Sequence, residues 1–189
     1  MGATHPRRFL AALAVALVAG AGTAVLATGA GSDPRMITLK AGPEKLLTIK
    51  GSDGPDGLTI AGEAPGSITI SASREITNQR TDCDVGPSGT GAFCGDDSVR
   101  TIDMGLGPGR DELGFSDTFD EASPGLDAIV QRGGAGADRI EGSKLDDTQE
   151  GDAGDDRLRG KAGRDDLDGG ADKDACDGGR GQDQIRNCE

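Results

Sequence analysis

Two hydrophobic rhythms run along the chain, and neither is helical. Between residues 133 and 186 a lone apolar side chain sits among polar neighbours at Ile140, Leu158, Leu167, Cys176 and Ile185, in steps of nine or eighteen. An apolar residue between two polar ones is a minimal strand, whose middle side chain points inward. Upstream the rhythm has period two, in short bursts. Ile37-Thr38-Leu39, Leu47-Thr48-Ile49, Leu58-Thr59-Ile60 and Ile68-Thr69-Ile70 each set a polar residue between apolar ones, and Val99 to Ile102 is a further candidate. Gly, Pro and Asp fill the gaps, a spacing that suits an all-β chain. The pattern predicts an irregular β-solenoid or small sandwich over 31–104, feeding a regular structure over 105–189. A third apolar stretch, Phe9 to Ala19, follows Arg7-Arg8 and precedes the small residues Ala24, Ala27 and Ala30. It is shorter than the roughly 20 residues a bilayer span needs. Residues 1–30 therefore read as a secretory signal peptide rather than an uncleaved anchor.

The nine-residue rhythm extends to other columns. Glycine opens each unit at Gly133, Gly142, Gly151, Gly160, Gly169 and Gly178. The sixth position is aspartate in every unit: Asp138, Asp147, Asp156, Asp165, Asp174 and Asp183. The fourth is glycine at Gly136, Gly154, Gly163 and Gly181. The first six residues of a unit read as a turn, with glycines at positions one and four free to take positive φ. Such a turn exposes main-chain carbonyls and delivers one carboxylate. Hard oxygen ligands of this kind suit Ca²⁺, which accepts 6–8 oxygens. One unit cannot bury its apolar residue alone, so units must stack.

Some units depart from the pattern. Leu145 and Gln149 replace the glycine and apolar residue of the second unit, which puts its edge and the 147/165 pairing in question. Asp172 replaces the fourth glycine of the fifth unit. Upstream, LGPGRDELG at 106–114 keeps Gly109, Asp111 and Leu113 in phase, whereas the nonapeptides at 115 and 124 fit poorly. GSDGPDGLT at 51–59 also aligns, and reads as an Asp-Gly turn between two strands.

Composition sharpens this picture. Aspartate outnumbers glutamate 25 to 8, and glycine reaches 33 residues. Helical surfaces favour glutamate, so the excess of aspartate and glycine belongs to turns and oxygen-ligand sites. The formal charge is −13, with no Trp and no Tyr, which argues against binding nucleic acid. Loss of residues 1–30 removes two arginines and no acid, leaving 33 acids against 18 bases (20 − 2) and the formal charge at −15. It also removes His5, the sole histidine, and with it any Ser-His-Asp triad, Cys-His dyad or histidine-ligated zinc. No G-K-[ST] follows the glycine-rich loops, so they are not phosphate cradles. Asp166-Leu167-Asp168-Gly169 lacks the terminal glutamate and flanking helices of an EF-hand.

Four cysteines lie in the exported part: Cys83, Cys94, Cys176 and Cys188. An even count in an exported chain suggests disulfides, with three connectivities open. The local pairs Cys83–Cys94 and Cys176–Cys188 are favoured, each worth about 3 kcal/mol. No C-x-x-C supports a four-thiolate metal site.

The columns G-G-x-G-x-D-x-U-x resemble the RTX, or haemolysin-type, calcium-binding repeat. The resemblance covers 133–186 and implies a parallel β-roll with two nonapeptides per turn and calcium between stacked turns on each side. Carried over, Asp138, Asp156 and Asp174 line one edge, and Asp147, Asp165 and Asp183 the other. Carbonyls near Gly133, Gly136, Gly151, Gly154, Gly160, Gly163, Gly169, Gly178 and Gly181 complete the ligands. The implied function is a secreted, non-catalytic protein that folds on binding Ca²⁺, the one partner the sequence names. The alternative is a calcium-dependent adhesin or surface-interaction protein. An enzyme with an accessory roll finds no nucleophile motif.

Overall fold

The computed structural model describes residues 37–41, 46–62, 67–78, 83–94, 99–119 and 125–189, the signal-peptide reading lying outside them. The elements described are all strands, and the chain lays them alternately into two sheets. One sheet takes β2 (Leu46–Lys50), β8 (Thr101–Pro108), β10 (Ala128–Ala135), β12 (Asp147–Ala153), β14 (Asp166–Asp168) and β16 (Gln184–Arg186), neighbours in that order and all parallel. The other takes β3 (Gly57–Ala61), β9 (Glu112–Phe115), β11 (Arg139–Glu141), β13 (Arg157–Arg159) and β15 (Ala175–Asp177), again parallel. This is a parallel β-roll.

Antiparallel strands finish the N-terminal end. β1 (Ile37–Ala41) lies beside β2, with β5 (Ile76–Asn78) outside it. β4 (Ile68–Ala72) lies beside β3, followed by β7 (Gly91–Cys94) and β6 (Cys83–Val85). Cys83 and Cys94 face each other across β6 and β7 and form a disulfide. At the other end a second disulfide joins Cys176 to Cys188, and the Glu189 N–H donates to the Asp174 carbonyl at 2.8 Å. Both pairings match the local ones favoured by spacing.

Roll stacking runs across residue 105, the start read for the roll from sequence. Leu47 pairs with Ile102, and Leu58 with Leu113. The units at 51–59 and 106–114 are thus rungs of the same stack, and the Asp-Gly turn at 51–59 is at once a turn and a rung.

The core thins along the stack. Each of β2, β3 and β9 turns two apolar side chains inward, Leu47 and Ile49, Leu58 and Ile60, Leu113 and Phe115, and β8 turns three, Ile102, Met104 and Leu106, all buried. From β11 onward the strands contribute at most one, at Ile140, Leu158, Leu167 and Cys176, and β12 none. Ile185, on the last strand, is 48% exposed. A buried Leu or Ile contributes about 1.5–3 kcal/mol, so the N-terminal rungs hold far more hydrophobic stabilisation than the repeat rungs. Charges on the outer face add little: half-exposed Arg132 bridges Asp103 and Glu150 across rungs.

Gln149 leaves its unit fully stacked, contrary to the doubt its sequence raised. Its register neighbour on β10 is Gln131, and Gln149 Nε2 donates to Gln131 Oε1 at 2.7 Å with both side chains fully buried. The polar pair replaces an apolar one at the point where the core narrows.

Candidate metal centre

The last residue of each six-residue turn is the column aspartate. Its backbone N–H points along the stack, toward the next rung. On the first edge the N–H of Asp138 donates to Oδ1 of Asp156 at 2.8 Å, and that of Asp156 to Oδ1 of Asp174 at 3.0 Å. On the second edge the Asp147 N–H donates to Oδ1 of Asp165 at 2.9 Å, and that of Asp165 to Oδ1 of Asp183 at 3.1 Å. The structure therefore places all six repeat aspartates in two ladders, three on each edge. The 147/165 step is intact despite Leu145.

The first ladder is longer than the repeat. The Asp111 N–H donates to Oδ1 of Asp138 at 2.7 Å, and the Asp56 N–H to Oδ1 of Asp111 at 2.7 Å. Counting by nines conceals this. Asp111 precedes Asp138 by 27 residues, and Asp56 precedes Asp111 by 55, where the repeat uses 18. Three nonapeptides would put Asp111 on the opposite edge. β9 and β10 instead lie in different sheets, and 27 residues rather than 18 separate the equivalent aspartates.

The turn glycines act differently from the sequence expectation. Positive φ falls at positions two and four of the unit, as at Gly134 (107°) and Gly136 (140°), not at position one. Position one needs glycine for room. A β-carbon on Gly133 would lie 2.6 Å from Asp138 Oδ2 and 2.8 Å from the Gly151 carbonyl. That gap lets the carboxylate fold back beneath its own turn. Asp172, at a fourth position, is held at φ 84°, a region aspartate tolerates better than most residues. Carbonyls also line the edges. A β-carbon on Gly136 or Gly154 would collide with the Gly109 or Gly136 carbonyl, and one on Gly163 or Gly181 with that of Leu145 or Gly163.

Burial gives the ladders their chemistry. Asp111, Asp138, Asp156, Asp165 and Asp174 are buried, and Oδ2 of each lacks a hydrogen-bond partner. Such an acceptor costs about 1–3 kcal/mol when left unsatisfied. Burial pushes the Asp156 carboxyl up to about 7, against the N–H bond from Asp138 and with the negative charges of Asp138, Asp174 and Asp152 adding to it. Asp111 rises to about 6, mainly by burial, with Asp138 and Asp56 adding. Asp138 and Asp165 rise for the same first reason. These are oxygens prepared for a positive charge. Among the described residues no three acidic, histidine or cysteine side chains converge on one point. A cation here would be shared between column aspartates and main-chain carbonyls, the mixed oxygen shell that Ca²⁺ accepts. The residues present fit that ion.

The ladders also begin in the same way, a feature sequence reading missed. Ser52 donates from its N–H to Asp56 Oδ2 at 2.6 Å and from its hydroxyl to Oδ1 at 2.8 Å. Ser143 donates to Asp147 Oδ2 from N–H at 2.7 Å and from its hydroxyl at 3.1 Å. The signal was present as Gly-Ser at the head of the units at 51 and 142, the one position-two serine of each ladder.

Residues 132–148 and 150–185 match the RTX calcium-binding nonapeptide repeat, in four copies. The match breaks at Gln149, the polar member of the apolar column, and stops short of Asp111 and Asp56. Neither a curated protein nor a solved structure matches the chain. The segment 132–185 carries RTX calcium-binding repeats on a parallel β-roll.

Proposed function

We propose that the chain is an exported calcium-binding β-roll without catalysis, whose repeat rungs assemble when calcium binds. Asp138, Asp156, Asp174, Asp147, Asp165 and Asp183 serve as the ligand carboxylates, with carbonyls of the turn glycines completing the shell. The observation that carries this reading is the row of buried Oδ2 atoms without a donor at Asp111, Asp138, Asp156 and Asp174 on one edge and at Asp165 on the other. Calcium supplies the charge that lets these carboxylates stay ionised in a dry edge.

The rest follows from the chain's own residues. Without a counter-charge the column aspartates repel across rungs, and the glycine-rich turns lose much conformational entropy on ordering. A single apolar side chain per strand, or none, does not offset both costs. Binding and folding of the repeat rungs are therefore one event. The wider core over β2, β3, β8 and β9 stands outside this dependence and supplies a surface on which the repeat stacks. Affinity in the range of extracellular modules, roughly 10⁻⁴–10⁻³ M per site, would make export into a calcium-rich medium the trigger. No described helix is long and apolar enough to cross a membrane.

Far-ultraviolet circular dichroism of the chain lacking residues 1–30, with calcium and with chelator, tests the reading. A gain of sheet signal on calcium addition, with heat on titration, is expected. Identical spectra without heat would refute it.

A further inference from the structure

Asp56 and Asp111 occupy equivalent places in the first ladder, yet their carboxylates differ in one respect. Both oxygens of Asp56 are satisfied: Oδ2 by Ser52 N–H, Oδ1 by the Ser52 hydroxyl and by the Arg74 guanidinium, whose Nε lies 3.0 Å away. Arg74 is held there by a second bond, from Nε to the Pro55 carbonyl at 2.9 Å. It comes from the turn between β4 and β5, an element with no counterpart in the repeat. Asp111, one rung on, is 2% exposed and uses Oδ1 to accept the Asp56 N–H, while Oδ2 has no partner. Asp138 repeats that state. Beside the two lies a hollow of about 350 Å³, lined by the acids Asp111, Asp138 and Asp155 and by Arg110, Arg139 and Arg157 among others.

We infer that the first edge is one cation-binding array that continues past the repeat to Asp111, and that Arg74 closes it at Asp56 as a built-in cation. The space between Asp111 and Asp138 takes a calcium ion, with the Gly109 carbonyl at the same level of the stack. The space beyond Asp56 takes none, because the guanidinium and Ser52 already satisfy that carboxylate. An arginine suits this post: its charge is permanent, and while its Nε–H donates to the Pro55 carbonyl the guanidinium lies in ion-pair contact with the Asp56 carboxylate. The array thus has a fixed start, protein-charged, and a length set by metal. This rests on the reading that the repeat aspartates bind calcium.

Calcium stoichiometry of the full chain, by isothermal titration, separates the two. Asp111→Asn keeps an acceptor for the Asp56 N–H and removes the charge; it should bind about one ion fewer than the unsubstituted chain. Arg74→Met frees Asp56 and should bind about one ion more. A site in the unsubstituted chain is read independently by Mn²⁺, a hard cation of similar ligand preference, through broadening of amide resonances. Broadening at Gly109 and Asp111 as well as in the repeat supports the inference. Broadening confined to residues from Asp138 onward, with unchanged stoichiometry in Asp111→Asn, overturns it while the calcium reading stands. No ion bound anywhere overturns both.

Discussion

The backbone N–H of Asp138 donates to Oδ1 of Asp156 at 2.8 Å, while Oδ2 of the same carboxylate is buried without a partner. At Asp111, Asp138, Asp156, Asp165 and Asp174 one oxygen thus holds the stack together, and the other waits for charge. Structural and ligand roles reside in the same side chain, and they can be separated by substitution.

Asp156→Asn retains an acceptor for the Asp138 N–H and removes the buried charge. In chelator it should shift the repeat toward the folded state, giving more far-ultraviolet sheet signal than the unsubstituted chain. Its calcium affinity should fall about tenfold or more. Asp156→Ala loses both roles and should melt lower with calcium, without the gain of sheet signal in chelator. Circular dichroism spectra and thermal melts of the three proteins, with calcium and with chelator, check the separation.

Acidity should substitute in part for calcium. The Asp156 carboxyl is raised from 3.8 to about 7 and that of Asp111 to about 6. A carboxyl with a raised folded value binds more protons folded than unfolded between the two values. Stability then falls as pH rises through that window. In chelator, the sheet signal of the repeat should drop as pH is taken from about 5 to about 7.5. With saturating calcium the drop should shrink, because the carboxylates are ionised in both states. Calcium affinity should weaken on acidification over the same range.

Asp172 is the non-glycine member of a column otherwise held by glycine or by Leu145, and its φ is 84°. Asp172→Gly removes that backbone cost and should stabilise the calcium-bound chain by about 1 kcal/mol. The reverse change at Gly136, with φ 140° and the Gly109 carbonyl where a β-carbon would lie, should disrupt its rung. Calcium-saturated urea melts of both variants provide the comparison.

The buried Gln131–Gln149 pair predicts a double-mutant signature. Gln149→Leu alone strands Gln131 Oε1 and should cost about 1–3 kcal/mol. Adding Gln131→Leu removes the stranded acceptor and extends the apolar column from Met104 to Leu167. The double variant should recover most of the loss, giving a favourable coupling energy in a thermodynamic cycle.

How far the sequence could be read depends on what each residue answers to. The columns at Asp138 to Asp183 and Ile140 to Ile185 answer to a strict period, so edges, inward faces and ladder partners were legible there. Asp111 and Asp56 obey the same local turn, but gaps of 27 and 55 residues separate them from the next aspartate of the ladder, and spacing alone assigns no edge. The role of Arg74 was hidden for a related reason: it arrives from an antiparallel strand turn, outside any repeat. Gln149 looked like a fault because its partner Gln131 lies upstream of the first regular unit. Position-one glycine carried a signal whose cause was misread. The need is space for a folded-back carboxylate, which no dihedral preference reveals. The two disulfides were legible because each closes a local loop.

Amide hydrogen exchange of the whole chain, with calcium and with chelator, tests the central claim most directly. The account predicts that amides over 139–186 exchange as in an unfolded chain in chelator and become protected with calcium. Those of β2, β3 and the 101–106 part of β8 stay protected in both. Equal protection of 139–186 in the two conditions would contradict it.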